Sequence, residues 1–304
     1  MSTLQSCPCC GDLDLCKLGE LHDSDRFAGA RLTRKLPGGG LYRCQRCRLK
    51  FRYPTHDAGA YSALYDNDAI ETWPADSVRP DWNLIVDHVL KQLPAGGRVL
   101  DFGCYSGGLL GRLGPKFDRY GVEINRAAAA HASGLIHGPV WASLDAMPAD
   151  LRFDVIIAAD VIEHMQNPRD LINTLSAWLS DDGILIVTTG DADNFLWNRF
   201  GSNWWYCFYP EHIVFVSRKW LDYLVATSDL VLVRCHSFRY QHQAVLRRIV
   251  DTCSAFWYGL HPVSYLGFIA QLRRVLGRPD VTSVPGNGIS ADHLFIVLRR
   301  KSES

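Results

Sequence analysis

Four groups of residues in this chain have types and spacings suited to chemistry. Two C-x-x-C pairs occupy residues 7–10 and 44–47, and a glycine-rich turn lies within 98–113. An acid adjoins a histidine in V-I-E-H at 161–164 and again in Y-P-E-H at 209–212. Thiolates bind metal ions, glycine turns admit nucleotide-like ligands, and imidazole transfers protons near neutral pH. These patterns predict a ligand-binding enzyme.

The glycine-rich turn follows a short apolar run and precedes leucines at helical spacing. Val99 and Leu100 lead into Asp101 as in a buried parallel strand, and Glu123 follows the turn by about 20 residues. An acid at that distance can accept hydrogen bonds from both hydroxyls of a ribose. The pattern predicts a bound dinucleotide or S-adenosylmethionine (SAM), with a purely structural turn as the alternative.

The residue types in the turn favour SAM over a dinucleotide. It reads D-x-G-C-x-S-G rather than G-x-G-x-x-G, and the next strand ends in G-V-E-I. Both stretches resemble motifs of class I SAM-dependent methyltransferases, as does D-V-I-E-H beginning at Asp160. Tyr105 departs from that family, which often has glycine there. The resemblance implies a cofactor site formed by Asp101, Gly103, Cys104, Tyr105, Ser106, Gly107, Glu123, Asp145 (at the adenine amino group) and Asp160.

The acceptor side is predicted in the aromatic segment 194–217. Aromatic rings there either stack on sugar or base rings or fill the core. Its Y-P-E-H resembles the Y-x-E-H of sugar C-methyltransferases, which implies that His212 is a general base with Tyr209 and Glu211 as neighbours. Neutral imidazole suits that role, with Glu211 raising its basicity and Tyr209 binding the developing oxyanion. The alternative is that these residues only fix the loop.

His164 is predicted beside the methyl-donor pocket, together with Asp160 and Glu163 of the same D-V-I-E-H stretch. The position follows from the family resemblance and from the crevice rule, because the preceding run FDVIIAAD is a buried strand. An equally weighted alternative is a structural hydrogen bond at a helix start.

The cysteines predict a metal site. A chain of 304 residues without a secretion signal has little need of disulfides, and two C-x-x-C pairs can close a tetrahedral site for structural Zn²⁺. Cys9 could replace a ligand of the first pair, and reduced cysteines in a small core are the alternative. The order C-x-x-C, L-G-E, C-x-x-C-x-L resembles the zinc module of sugar C-methyltransferases. The predicted ligands are Cys7, Cys10, Cys44 and Cys47.

Between Arg26 and Asp57 the chain contains only basic charges. They could contact phosphate or simply be solvated. Because the formal net charge of the whole chain is zero, nucleic-acid binding is not expected. The eight cations are Arg31, Arg34, Lys35, Arg43, Arg46, Arg48, Lys50 and Arg52.

Strand and helix patterns alternate along most of the chain. They predict an α/β fold, a Rossmann-like, doubly wound and mostly parallel seven-stranded sheet with an antiparallel last strand. A small zinc ribbon precedes it. The predicted units are a zinc module (1–56), a linker and sheet-covering helix (57–97), a SAM-binding core (98–238), a helical insertion (239–290) and a final core strand (291–304).

The insertion has an apolar centre over 244–279, flanked by paired arginines and interrupted by Pro262. It is predicted to cap the substrate pocket or contact another subunit, or else to rest on an anionic membrane. The N-terminus has no apolar signal region and no apolar run is long enough to span a membrane, so we expect a cytoplasmic protein with peripheral membrane contact as the alternative.

These observations predict SAM-dependent methyl transfer to a sugar, in a nucleotide- or lipid-linked acceptor of polysaccharide or glycosylated-metabolite synthesis. Whether carbon or oxygen is methylated stays open, as does the oligomeric state. An RNA base methyltransferase is one alternative, although Ala159-Asp160-Val161-Ile162 replaces the N-P-P-Y-like tetrapeptide expected of amino-group methylation. A non-catalytic binding protein on the same fold is the other.

Overall fold

The computed structural model describes residues 6–28, 30–55, 79–239, 245–277, 285 and 290–301. Residues 57–78 of the predicted linker and sheet-covering helix (57–97) lie outside the described residues, as do 240–244 and most of 278–289 within the predicted insertion.

The central element is the seven-stranded sheet. Its order is β12-β13-β10-β9-β6-β7-β8, and β13 runs antiparallel to both of its neighbours while the other pairs are parallel. The predicted Rossmann-like α/β sheet is therefore confirmed, including its antiparallel last strand. The strands are β6 (Arg98–Phe102), β7 (Asp118–Val122), β8 (Val140–Trp141), β9 (Phe153–Ala159), β10 (Leu179–Gly190), β12 (Leu230–Phe238) and β13 (His293–Arg300).

Eight α-helices are found within the described residues, and several begin at a residue whose side chain accepts a hydrogen bond from the first turn. Asn125 accepts a hydrogen bond from Ala128 N, and Ser217 accepts one from Trp220 N. The helices are α1 (Pro80–Gln92), α2 (Gly108–Gly111), α3 (Arg126–Ile136), α4 (Pro168–Ala177), α5 (Phe195–Phe200), α6 (Arg218–Ala226), α7 (Val245–Leu260) and α8 (Pro262–Val275).

Two apolar cores cover the two faces of the sheet. Ile85 and Val89 of α1 pack with Ile136 of α3 on one face. On the other face, Leu175 of α4 and Trp220 of α6 lie in a core that also contains the N-terminal cysteines. The N-terminal module therefore shares a core with the large sheet rather than standing apart from it.

The N-terminal strands form a second sheet, which also includes a short strand from the aromatic segment 194–217 (the acceptor segment). Its order is β1-β4-β5-β11, and the last strand pairs Val214 with Phe51 and Phe215 with Lys50. A separate hairpin joins β2 and β3. The strands are β1 (Leu15–Glu20), β2 (Ser24–Phe27), β3 (Ala30–Leu36), β4 (Gly40–Cys44), β5 (Lys50–Tyr53) and β11 (Val214–Phe215).

The predicted insertion contains the helix pair α7 and α8, which Pro262 separates. Tyr258 of α7 is buried and its ring packs near Phe200 and Phe208 of the acceptor segment. The outer face leaves large apolar side chains such as Leu246 and Val263 exposed. Among the described residues, no helix combines the length and apolarity that crossing a membrane requires.

Candidate functional site

The glycine-rich turn connects β6 to α2 at the carboxyl edge of the sheet. Gly103 and Gly107 have φ of +79° and +80°, in the left-handed region that favours glycine. A Cβ on Gly103 would lie 2.6 Å from Val161 Cγ2, and one on Gly107 would lie 3.0 Å from the Ala132 backbone. Glycine is therefore required at both positions by conformation and by space.

The loop is tied to the next strand through Glu123, as the spacing predicts. Glu123 Oε2 accepts a hydrogen bond from Tyr105 N at 2.8 Å, and Oε1 accepts one from Asn125 N at 2.8 Å. Burial raises the pKa of this carboxyl, against the lowering effect of these backbone donors. Cys104 is buried beneath the loop, and the carbonyl of the buried Ser106 lies 3.1 Å from His131 Nδ1.

Tyr105, the departure from the family pattern, has φ of +46°. A non-glycine residue in this region is uncommon, and the left-handed backbone explains why glycine often occupies the position. The leucines at helical spacing after the turn begin in a short helix: α2 is a single turn that ends at Gly111.

Asp101 belongs to a cluster of acids around Arg79, a residue that the sequence reasoning missed. Arg79 Nη2 donates to Asp81 Oδ2 at 2.6 Å and to Asp160 Oδ2 at 2.5 Å. Arg79 also lowers the pKa of Asp101, although burial dominates and raises it to about 7. Several buried acids at strand ends imply a nearby cation, but nothing local in the sequence places it at residue 79. Asp145 lies farther along the edge, exposed in a 3₁₀ turn after β8.

The raised pKa of Asp101 predicts a stability change between about pH 4 and 7, because the unfolded carboxyl titrates near 3.9. In that range the folded state holds the proton that the unfolded state has lost, so stability falls as pH rises and levels off above about 7. Because asparagine does not titrate, the stability of Asp101→Asn does not fall with pH for this reason. The Tm advantage of Asp101→Asn over wild type, measured without SAM, should therefore grow from pH 5 to pH 8; a pH-independent difference would contradict the assignment. The Tm difference between the variant and wild type separates the contribution of Asp101 from those of its charged neighbours Arg79, Glu123 and Asp81.

On the acceptor side, the two predicted histidines meet. Their ring centroids lie 5.1 Å apart, although His164 follows β9 and His212 precedes β11. His212 Nδ1 lies 2.9 Å from the Tyr206 carbonyl oxygen, and His164 Nδ1 lies 3.0 Å from the Glu211 carbonyl oxygen. Because a carbonyl only accepts, each Nδ1 carries the proton, and neutral His212 has its lone pair on Nε2. Burial lowers the pKa of both rings and keeps them neutral near pH 7.

Glu163 lies against these histidines and is fully buried. Its Oε2 accepts from Thr189 Oγ1 at 3.0 Å, and its Oε1 accepts from the Tyr206 hydroxyl. Burial and the neighbouring Asp160 raise the pKa of Glu163 to about 7. The D-V-I-E-H resemblance predicts Glu163 beside the methyl-donor pocket, whereas Tyr206 stands out in the sequence only as one of many aromatic residues.

Glu211 does not face His212 as predicted. Its Oε1 accepts from Ala28 N at 3.2 Å, so its carboxylate points toward the N-terminal module and lies nearer His164. Tyr209 keeps its predicted place: its ring lies 5.1 Å from that of His212 and is 43% exposed.

Most of the aromatic segment is core. Trp197, Trp204 and Tyr206 are buried in one apolar cluster that also contains Phe215. For these three rings the structure favours the second of the two alternatives, filling of the core, because they pack against the second sheet. Tyr209 is the aromatic residue of Y-P-E-H that remains accessible beside His212.

The four predicted thiols converge. Cys7 Sγ lies 3.6 Å from Cys47 Sγ, and Cys10 Sγ lies 3.5 Å from Cys44 Sγ. All four sulfur atoms lie within 4.8 Å of one another, a spacing compatible with a tetrahedral four-thiolate metal site. The sulfur of Cys9, the open alternative, accepts a hydrogen bond from Trp220 Nε1 at 3.4 Å.

Two of the eight predicted surface cations are buried in the interface with the acceptor segment. Lys50 donates to the Ala192 carbonyl and lies 3.8 Å from Asp193 Oδ1. Arg52 donates to four carbonyl oxygens: Gly38, Cys207, Tyr209 and His212. The phosphate-contact expectation does not apply to these two residues, because internal carbonyls and Asp193 occupy their donors.

The chain is similar to known methyltransferases over part of its length. (S)-Coclaurine N-methyltransferase of Papaver somniferum is 31% identical over 106 residues, covering 32% of this chain and 30% of that protein. (S)-Tetrahydroprotoberberine N-methyltransferase of Eschscholzia californica is 28% identical over the same shares. The chain thus matches 30% of the length of these relatives.

Among solved structures, coclaurine N-methyltransferase bound to N-methylheliamine and SAH aligns at 15% identity, covering 79% of this chain and 80% of that one, with a TM-score of 0.47. The plantazolicin methyltransferase BpumL in complex with SAH aligns at 14% identity over 82% and 92%, with a TM-score of 0.45.

A family model described as a methyltransferase domain matches residues 77–234. The match spans 158 of the 304 residues, from α1 to β12, and contains the glycine-rich turn, Glu123, the histidine pair and the aromatic segment. It leaves out the N-terminal cysteines and the helix pair α7–α8. The chain therefore belongs to the methyltransferase-domain family.

Proposed function

We propose that this protein transfers a methyl group from SAM to a small polar acceptor, the sugar portion of a nucleotide-linked, lipid-linked or glycosylated metabolite. One observation carries the acceptor side of the proposal: a ring nitrogen of His212 lies within 4.8 Å of a ring nitrogen of His164 and a carboxylate oxygen of Glu163, residues that follow β9 at its carboxyl end. Ligands of open α/β sheets bind at this edge.

The residues of the glycine-rich turn fit SAM. Gly103 and Gly107 leave no side chain at either end of the turn, and Glu123 presents two carboxylate oxygens directly after β7. In this proposal Glu123 binds the ribose hydroxyls, Asp145 the adenine amino group, and Asp101 and Asp160 line the methionine end. The sulfonium supplies an activated methyl group, so the protein has to align an acceptor and remove one proton.

His212 is the residue that acts on the acceptor. An acceptor hydroxyl gives its proton to His212 Nε2, its oxygen bonds to the methyl carbon, and the bond from that carbon to sulfur breaks, releasing S-adenosylhomocysteine. Tyr209, half-exposed beside the His212 ring, offers an aromatic face to a sugar. The packing of Tyr258 on the acceptor segment supports α7 as a cap over this side, while membrane contact through the outer face remains the alternative.

We also propose that Cys7, Cys10, Cys44 and Cys47 bind one structural Zn²⁺. Four thiolates close the coordination shell, so this ion would hold the module together and take no part in the reaction. The four sulfur atoms within 4.8 Å of one another support the proposal.

A methyl-transfer assay with SAM tests the proposed function. Nucleotide-linked deoxysugars are expected to gain one methyl group, whereas RNA and secondary amines, the acceptor type suggested by the names of the relatives, should not. His212→Ala should lower turnover about 100-fold or more while SAM binding stays unchanged, as expected for loss of acceptor activation.

His236→Ala is the matched control, because His236 is exposed on β12. It should keep wild-type turnover. Methylation of amines or RNA alone would contradict the sugar acceptor, and wild-type turnover in His212→Ala would contradict the role of His212.

A further inference from the structure

We propose that Glu163, His164 and His212 bind one divalent transition-metal ion, of the class of Mn²⁺, Fe²⁺ or Zn²⁺, which also binds the acceptor oxygen. The role rests on the proposed methyl transfer, whereas the binding site itself does not. Two imidazoles and one carboxylate form a set that leaves coordination positions open for substrate.

The donor atoms already lie together. One ring nitrogen of each histidine and one carboxylate oxygen of Glu163 lie within 4.8 Å of one another. Donors at about 2.1 Å from a single ion lie about 3–3.5 Å apart, so binding requires side-chain movements of roughly 1 Å. The three residues come from two separate segments, and the fold alone brings them together.

The hydrogen bonds of the histidines are those typical of metal ligands. His212 Nδ1 donates to the Tyr206 carbonyl at 2.9 Å, and His164 Nδ1 donates to the Glu211 carbonyl at 3.0 Å. Metal-binding histidines usually donate one ring N–H to a carbonyl or carboxylate, which fixes the ring and directs its other nitrogen at the ion.

The carboxylate is oriented in the same way. Thr189 and Tyr206 each donate one hydroxyl to Glu163, one to each oxygen. A carboxylate has about four lone-pair positions, so two hydrogen bonds leave acceptor capacity for a cation. The two hydroxyls therefore orient Glu163 without using up its ability to bind a metal ion.

The charges around the cluster favour a cation. Glu163 is fully buried, and within the described part of the chain no lysine or arginine forms an ion pair with it. Nearby, Asp160 Oδ1 is buried and lacks a hydrogen-bond partner among the described residues, whereas its Oδ2 binds Arg79. An unneutralised buried carboxylate is costly, and a divalent cation would compensate it.

A bound cation would change how the acceptor is activated. An acceptor hydroxyl coordinated to the ion loses its proton to solvent more readily, because the positive charge stabilises the alkoxide. That oxygen then bonds to the methyl carbon as the carbon–sulfur bond breaks. This chemistry places the methyl group on oxygen rather than on carbon.

Mn²⁺ binding tests the site independently of turnover. The zinc-loaded protein, freed of loosely bound metal, is titrated with Mn²⁺, and free Mn²⁺ is followed by electron paramagnetic resonance. Wild type should bind one Mn²⁺, and Glu163→Gln and His212→Gln should each weaken binding about tenfold or more. His236→Ala should bind as wild type does. No saturable binding, or equal binding by wild type and both ligand variants, would overturn the site.

The methyl-transfer assay separates the two proposals. Mn²⁺ binding that depends on Glu163 and His212, without methyl transfer to any acceptor, supports the metal site and overturns the proposed function. Methyl transfer by protein that binds no Mn²⁺ supports the proposed function and overturns the metal site, leaving His212 as a general base.

Discussion

Replacing Cys47 with serine is expected to release zinc and to unfold the N-terminal module. Cys47 is fully buried, and its sulfur lies 3.6 Å from that of Cys7. Structural zinc contributes on the order of 10 kcal/mol to the folding of small zinc domains, so losing one of four ligands removes much of the stability of the module. Serine keeps the size of the side chain but is a poor zinc ligand.

The effect should extend to the catalytic sheet. The cysteines share an apolar core with Trp220 of α6, and β5 of the module pairs with β11, which begins two residues after His212. We therefore expect Cys47→Ser to lower turnover as well as stability, although Cys47 lies in a different part of the fold from the glycine-rich turn.

Metal analysis and thermal unfolding test this prediction. Wild type should contain one zinc per chain under reducing conditions and Cys47→Ser should contain much less, with a lower Tm. Cys253→Ser is the control, because Cys253 is exposed on α7 and should retain zinc and Tm. Wild-type protein without zinc, or full zinc occupancy in Cys47→Ser, would contradict the assignment.

The parts of the site that the sequence predicts well are local. Gly103, Gly107 and Glu123 lie on consecutive elements of one βαβ unit, where strand alternation and turn geometry fix their relative positions. The buried strand β9 and the position of V-I-E-H directly after it are also predicted from a local pattern. In such units, spacing along the chain translates directly into spacing in the fold.

The remainder depends on contacts between distant segments, which spacing does not encode. Arg79 lies 81 positions from its partner Asp160. The sequence predicts that Glu211 faces the histidine next to it, but the N-terminal module supplies a hydrogen-bond donor to its carboxylate, Ala28 N. Trp197 and Tyr209 belong to the same aromatic segment, yet the Trp197 indole is buried and the Tyr209 ring is accessible. Only packing against the second sheet distinguishes them.

Arg52 provides the second large effect: Arg52→Met is expected to lower kcat about 100-fold or more and to change SAM binding little. Its guanidinium is buried and donates to the carbonyls of Cys207, Tyr209 and His212 as well as Gly38. These bonds hold the backbone that leads into the histidine and the carbonyl of the histidine itself. Each hydrogen bond to a charged donor contributes about 1.5–3 kcal/mol, and a displacement of about 1 Å at a reacting group can cost 100-fold in rate.

Arg52→Lys is the matched variant, because it keeps the charge but cannot reach all four carbonyls with the fixed geometry of a guanidinium. It should fold more stably than Arg52→Met and recover part of the lost kcat. Steady-state kinetics with separate kcat and KM, together with the Kd for SAM, distinguish a positioning role from general destabilisation. If both variants lose SAM binding in parallel with Tm, Arg52 acts on the whole fold; if Arg52→Met keeps wild-type kcat, it does not position His212. We expect neither outcome, because the guanidinium of Arg52, a residue of the N-terminal module, binds four carbonyls and three of them belong to the loop that ends at His212.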